Sequence, residues 1–123
     1  MEELRFGSYT AFLRKRASLT IRETASRLHI SAAYLNDIEK GRRYPFSPEK
    51  IERFAAMVNA EESEKRRLYD LAAKDRGTVS EDVSRYLQSN SYIFAALRTA
   101  KELDANEDDW NEMLNELRKR KGV

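Results

Sequence analysis

The sequence predicts an all-α protein, because its apolar residues recur at helical spacing and helix breakers are few. Only 4 Gly and 2 Pro interrupt 123 residues, and no segment alternates apolar and polar residues for long enough to indicate a strand. Hydrophobic residues make up 41% of the chain and charged residues 36%, which is compatible with a packed core under a strongly solvated surface. The length suits one domain, or one domain with a helical extension.

Four helices are predicted in the first half of the chain. The first spans about residues 8–16, and the second spans 21–28 behind a capping box formed by Thr20 and Glu23. The third follows Ser31 and stops at Gly41, and the fourth opens at Ser47-Pro48 with serine as its cap. The residues predicted to face inward are Phe6, Leu13, Leu28, Leu35, Ile38, Ile51, Phe54, Ala55 and Val58.

Four further helices are predicted after residue 60, over 63–74, after Ser80, over 91–103 and after Asn106. The last begins with three acidic residues and ends with four basic ones, charges that complement the helix dipole. Each helix carries an apolar stripe that a neighbour has to cover. The stripes comprise Leu68, Leu71 and Ala72; Val83, Tyr86 and Leu87; Ile93, Leu97 and Ala100; and Trp110, Met113, Leu114 and Leu117.

Positive charge is concentrated in the first third of the chain. Residues 5–43 carry 9 Lys or Arg against 3 Asp or Glu, whereas residues 61–123 carry 12 against 14. A one-sided basic field indicates a polyanionic partner. The role of Arg14-Lys15-Arg16 stays open between phosphate contact and a solvated helix end. Tyr9 and Phe12 are interpreted as packing residues, and exposure of either one would be informative.

Several function classes are disfavoured by composition. The chain has no Cys and one His, so disulfides, thiolate zinc sites and cysteine nucleophiles are excluded, and no metal site or cofactor is expected. The sequence contains no arrangement of a nucleophile and a base that would indicate an enzyme. No apolar run approaches the roughly 20 residues of a membrane span, and the charged start, Met1 to Arg5, is unlike a signal peptide. We therefore expect a cytoplasmic, non-enzymatic protein without membrane contact.

The segment from Leu19 to Pro45 is the most informative, because two short helices joined by His29-Ile30-Ser31 are typical of a helix-turn-helix. A helix presented in this way fits the major groove of DNA. Over about residues 6–60 the chain resembles the lambda-repressor-like family (Cro/C1, or XRE). The residues that carry the resemblance are Thr20, Glu23, Ala25, Leu28, Ile30, Ser31, Tyr34, Leu35, Ile38, Glu39, Gly41, Arg42 and Pro45.

The resemblance implies a lambda-repressor-like helix-turn-helix bundle that binds double-stranded DNA. It implies a DNA-binding domain at residues 1–60, while 61–123 is expected to be a helical extension for dimerisation or partner binding. Groove-facing positions of the recognition helix match Ser31, Ala32, Ala33, Asn36 and Asp37. Phosphate contacts are expected from Tyr34, Arg42 and Arg43, with Lys40 beside them and Arg22 on the second helix.

Three departures from the family pattern bear on this expectation. Ile21 occupies a position that is often glutamine, and His29 occupies one that is usually glycine. Ala32 and Ala33 cannot make bidentate hydrogen bonds to any base, although Asn36 could bind adenine and Asp37 could accept from cytosine. Base discrimination is therefore expected to be modest, with a share from DNA shape.

Three functions stay open at this point. The first is a bacterial or phage transcriptional repressor that acts as a homodimer through its C-terminal helices. The second is an antitoxin-type protein whose C-terminal helices bind a toxin or a peptidase, with DNA binding serving autoregulation. The third is a domain that keeps the fold but has lost affinity for DNA, which Ile21 and the alanine pair would explain.

Overall fold

A computed structural model describes residues 4–123 and confirms the all-α class. These residues form eight helices, and no strand occurs among them. Met1, Glu2 and Glu3, which belong to the charged N-terminus and to the predicted 1–60 domain, lie outside the described residues. The helices are α1 (Phe6–Arg16), α2 (Ile21–Leu28), α3 (Ala32–Glu39), α4 (Pro48–Met57), α5 (Glu62–Arg76), α6 (Glu81–Ser89), α7 (Ile93–Glu102) and α8 (Glu107–Lys121).

The chain divides into two compact units, Met1–Val83 and Ser84–Val123, and the division falls within α6. In the first unit, α1 packs against α3 and α5, α2 packs against α3 and α4, and α4 packs against α5. Every residue predicted to face inward in α1 to α4 is buried. Phe46 joins this core, with its ring centroid 5.1 Å from that of Phe6 and 5.8 Å from that of Phe54.

Helix α5 contributes to the same core, through the buried Leu68 and Ala72. Its first turn is bound to α1, since Arg16 Nη2 donates to Glu64 Oε1 at 2.9 Å. This hydrogen bond holds the pKa of Glu64 down at about 2. Burial, together with a hydrogen bond to Glu52, raises the pKa of Tyr69 to about 12. The first helix of the predicted extension thus packs within the first unit, while a separation of roles at residue 60 stays a prediction.

Helix α1 approaches the end of α3 at Gly7. A Cβ atom at this position would overlap the carbonyl oxygen of Ile38 and lie 2.8 Å from that of Glu39. Because both are backbone atoms, no side-chain rotation could relieve the contact. The missing side chain of Gly7 therefore permits the close packing of α1 on α3. The sequence analysis did not identify this role, since it began the helix at Ser8.

In the second unit, described by itself, the helices form near their predicted positions but bury no side chain. No residue from Ser84 to Val123 falls in the buried class. The prediction that Tyr86 and Leu97 face the interior is wrong, because each is at least 40% exposed. The same prediction is wrong for Val83, the last residue of the first unit, which is 41% exposed. The stripe of α8 is likewise exposed. A helical period predicts an apolar face, but burial of that face requires a neighbour to cover it. None of the described helices is both long and apolar enough to cross a membrane.

Candidate nucleic-acid interface

The turn between α2 and α3 sets the direction of α3. Helix α2 ends at His29, which adopts the left-handed conformation (φ 58°, ψ 41°). Ser31 then caps α3, and its Oγ accepts from the backbone N–H of Tyr34 at 3.0 Å. On the inner face, Leu35 and Ile38 are buried in the core. The opposite face of α3 is consequently turned toward solvent.

His29 adopts a backbone conformation that glycine tolerates better, and the residue is exposed. We expect His29→Gly to raise the free energy of unfolding by about 1 kcal/mol, because it removes the steric cost of a Cβ at positive φ. His29→Ala is the matched control, because it removes the imidazole but keeps the Cβ. Urea titrations of the three proteins measure the effect. Equal stabilisation by both substitutions would mean that the imidazole, and not the backbone, causes the strain.

The outer face of α3 carries the side chains predicted to face the groove. Ser31, Ala32 and Ala33 are exposed, and Asn36 and Asp37 are partly exposed. The two alanines present only methyl groups, and the Ser31 oxygen already accepts the capping bond. Among these five residues, Asn36 is therefore the one equipped for a bidentate contact with a base without first breaking another interaction.

Asp37 faces a cation within its own chain. Its Oδ1 lies 3.5 Å from Nη1 of Arg42, and the backbone N–H of Arg42 donates to the Asp37 carbonyl at 2.8 Å. Gly41, with φ at 76°, makes this reversal of the chain possible. An Asp37 that accepts from cytosine would have to share its carboxylate with Arg42.

The residues predicted to contact phosphate form the edge of this face. The guanidinium of Arg43 lies over the Tyr34 ring, 5.7 Å from its centroid, so the aromatic ring supports an exposed cation. Lys40, Arg42 and Arg43 are all exposed. These three and the residues of the α3 face lie in one continuous segment, 31–43, whereas Arg22 is exposed on α2, which packs against α3.

A buried ion pair that the sequence analysis did not identify fastens the end of α3 to α1. Arg14 Nε donates to Glu39 Oε2 at 2.7 Å, and Nη2 donates to Oε1 at 3.0 Å. A third bond runs from Nη1 to the Leu19 carbonyl at 2.8 Å. The two side chains are 9% and 7% exposed. Neither alternative left open for Arg14 therefore holds, since it is neither a solvated end nor available for phosphate.

Ion pairing also reduces the positive charge that was counted from the sequence in the first third of the chain. Arg14 is neutralised by Glu39, and Arg16 by Glu64, which follows it by 48 residues. Tyr9 is buried, as expected of a packing residue, while Phe12 is 57% exposed and stacks against Tyr9. The cations that stay exposed in the first third therefore include those at the edge of α3.

A shallow groove between the starts of α3 and α4 adds a residue that the sequence analysis missed. Ser31 and Tyr34 line one side, and Ser47 and Lys50 line the other. Lys50 lies in the first turn of α4, where the amide end of the helix dipole also favours anions. The cap at Ser47 was a local signal for the start of α4, but its position beside Ser31 depends on how the two helices pack.

Comparison with known families gives one match. Residues 5–68 match a family model described as a helix-turn-helix domain, which is just over half of the chain and covers α1 to α4 with the first part of α5. Comparison with curated proteins and with solved structures gives no match. The matched region contains α2, the turn and α3, so the match and the geometry concern the same surface.

Proposed function

Because the chain belongs to the helix-turn-helix domain family, we propose that it is a sequence-specific DNA-binding regulator of the lambda-repressor-like branch. In this proposal the protein represses transcription in a bacterium or phage by occupying an operator as a homodimer. The observation that carries the proposal is the exposed face of α3, bordered by Lys40, Arg42 and Arg43 and supported from beneath by Leu35 and Ile38. The order of Ser31, Tyr34, Gly41 and Pro45 supports the branch assignment.

The proposed contacts divide into two kinds. Arg22, Tyr34, Lys40, Arg42 and Arg43 bind phosphates, which sets the register and supplies most of the affinity. Base discrimination comes from the groove-facing side chains Ser31, Ala32, Ala33, Asn36 and Asp37. With two methyl groups and an ion-paired carboxylate on this face, discrimination by hydrogen bonds falls mainly on Asn36. DNA shape supplies the rest.

Selection from a pool of random duplex DNA tests the proposal, followed by titration of the selected duplex at several salt concentrations. The proposal predicts an enriched inverted repeat whose half-site centres are about one helical turn apart. It also predicts affinity that falls steeply with salt. Absence of enrichment, with weak affinity lost near physiological salt, would contradict it and favour the domain without DNA affinity.

Removal of single cations at the edge of α3 should weaken binding to all sequences alike. We expect Arg42→Ala and Arg43→Ala each to reduce the slope of log K against log salt by about 0.9, because each removes one phosphate contact. Fluorescence anisotropy with the selected duplex and with a scrambled duplex measures both slopes. Arg66→Ala is the control, since Arg66 is an exposed arginine of α5, outside the proposed interface. A variant that loses affinity for the selected duplex alone would place its arginine on a base instead.

The antitoxin-type function requires the C-terminal helices to bind a different protein and not a second copy of this chain. Exposed apolar residues along α7 and α8, such as Phe94 and Trp110, are the observation that favours it, because a toxin or peptidase could cover them. In that case the isolated protein is a monomer whose apolar face is open until the partner binds. In the repressor, by contrast, two copies of the chain cover this face.

A further inference from the structure

The last helix exposes an apolar stripe along its central turns. Trp110, Met113, Leu114 and Leu117 are each 39–48% exposed, and their spacing places them on one side of α8. The other side is polar, with Asn115 opposite the stripe. A monomer seldom presents such a continuous apolar face to water, because it is more stable when covered.

The charges of α8 are arranged at its two ends. Acidic residues, Glu107 to Asp109, occupy the first turn, and basic residues, Arg118 to Lys121, occupy the last. When a second α8 is laid antiparallel on the first with its centre between Met113 and Leu114, the acidic first turn of each helix lies beside the basic last turn of the other. Glu107 of one copy then meets Arg118 of the other, because at about 3.6 residues per turn both lie on the same flank of the stripe.

The same centre also aligns the apolar residues. Trp110 comes opposite Leu117, and Met113 comes opposite Leu114, so a large side chain meets an apolar partner at every position of the stripe. One symmetry point therefore satisfies both the charges and the stripe. Two copies related in this way form an isologous contact, in which residue i meets j and j meets i.

We propose that two copies of this chain dimerise through antiparallel packing of α8 on α8, with the two-fold axis between Met113 and Leu114. A parallel pair would instead bring the acidic turns together and the basic ends together, which is unfavourable. The order of acidic, apolar and basic residues along α8 thus makes a second, antiparallel copy of the same helix a complementary partner. The inference rests on the dimer of the proposed function and is independent of DNA binding.

Sedimentation equilibrium of the full chain without DNA tests the dimer. We expect a dimer at concentrations on the order of tens of micromolar, and we expect Leu114→Asp to raise its dissociation constant by about 100-fold or more, since the buried charge occurs in both copies. Asn115→Asp adds the same charge on the opposite side of α8 and should leave the constant unchanged. A monomeric wild type, or a dimer indifferent to Leu114→Asp, overturns the proposal.

A charge-reversal cycle tests the antiparallel arrangement. Glu107→Lys and Arg118→Glu should each weaken the dimer at low salt, and the double variant should recover about 3–10-fold in dissociation constant relative to the sum of the single effects. The two residues are 11 positions apart on one helix, about 16 Å, so they cannot pair within a chain. Circular dichroism controls for any loss of helix from the unfavourable dipole contacts.

The outcomes separate this inference from the proposed function. Additive effects in the cycle would overturn the antiparallel contact, whatever the affinity for DNA. An intact dimer that selects no DNA sequence would contradict the regulator and leave the α8 contact standing. A monomer that binds a single half-site would overturn the α8 contact and the homodimer, and would leave only the DNA-binding part of the proposed function. A monomer that associates only with a foreign protein would favour the antitoxin function.

Discussion

Gly7→Ala should destabilise the first unit by about 3 kcal/mol or more, because the added methyl group meets backbone that cannot move away. In an ordinary helix interior the same change is favourable by about 1 kcal/mol. Here the new Cβ would overlap the Ile38 carbonyl and press on that of Glu39. Either α1 moves off α3, and core contacts are lost, or the last turn of α3 distorts. Urea denaturation followed by circular dichroism measures the loss.

Gly77→Ala is the matched control, since it makes the same chemical change at a glycine with open space around it. Apart from its own neighbours along the chain, no atom of the described residues lies within 4 Å of its added Cβ, although φ is +71°. Its cost should be about 1 kcal/mol from the left-handed backbone alone. If the two substitutions cost the same, the close approach of α1 to α3 does not limit packing at Gly7.

Arg14→Met should cost about 3–5 kcal/mol, because it leaves the Glu39 carboxylate buried without a counter-charge. Two hydrogen bonds to Glu39 and one to the Leu19 carbonyl are lost together. Arg16→Met is the comparison, since the Arg16 side chain is 43% exposed, and its partner Glu64, at 16%, is more exposed than Glu39. Its effect should be much smaller.

Replacement of both members of the buried pair tests what causes the loss of stability in Arg14→Met. The cause is either the lost attraction between the two side chains or the Glu39 carboxylate left buried without a counter-charge. Arg14→Met with Glu39→Leu should recover most of the stability, because no uncompensated charge is left behind. The Leu19 carbonyl would still lack its donor, so recovery should be incomplete. A double variant as unstable as Arg14→Met would show that direct attraction within the pair, and not the desolvation of Glu39, dominates.

Much of the first unit was predictable from the sequence. The serine caps and the inward residues of α1 to α4 agree with the structure, because caps and helical periods depend on residues within about four positions of one another. Thr20 also caps α2, but Glu23 accepts from the Thr20 hydroxyl and not from the Thr20 backbone N–H that a capping box uses. The outer-face residues of α3 were predicted from the resemblance to the lambda-repressor-like family, while the period predicted that Leu35 and Ile38 face inward, as they do. The role of the outer face in binding DNA stays a prediction.

Contacts between distant residues were not predictable. The helical period places Arg14 on the inner face of α1, eight positions after Phe6. Its partner was not predictable, because only the packing of α1 on α3 brings Arg14 against Glu39, 25 positions away. Lys50 likewise lines one groove with Ser31 because α2 packs against both α3 and α4. Even the nearer pair of Asp37 and Arg42 depends on the reversal of the chain at Gly41.

The sequence by itself determined where the helices begin and end, which face of each is apolar, and that cations are concentrated in the first third. The tertiary structure alone decided which apolar faces are covered and which of those cations are paired with a carboxylate, at Arg5, Arg14, Arg16 and Arg42. The stripes of α1 to α5 are buried in one core, whereas that of α8 stays exposed. The physical reason is that a helix forms from local hydrogen bonds, while burial and ion pairing require a second surface, which the sequence of one helix does not specify.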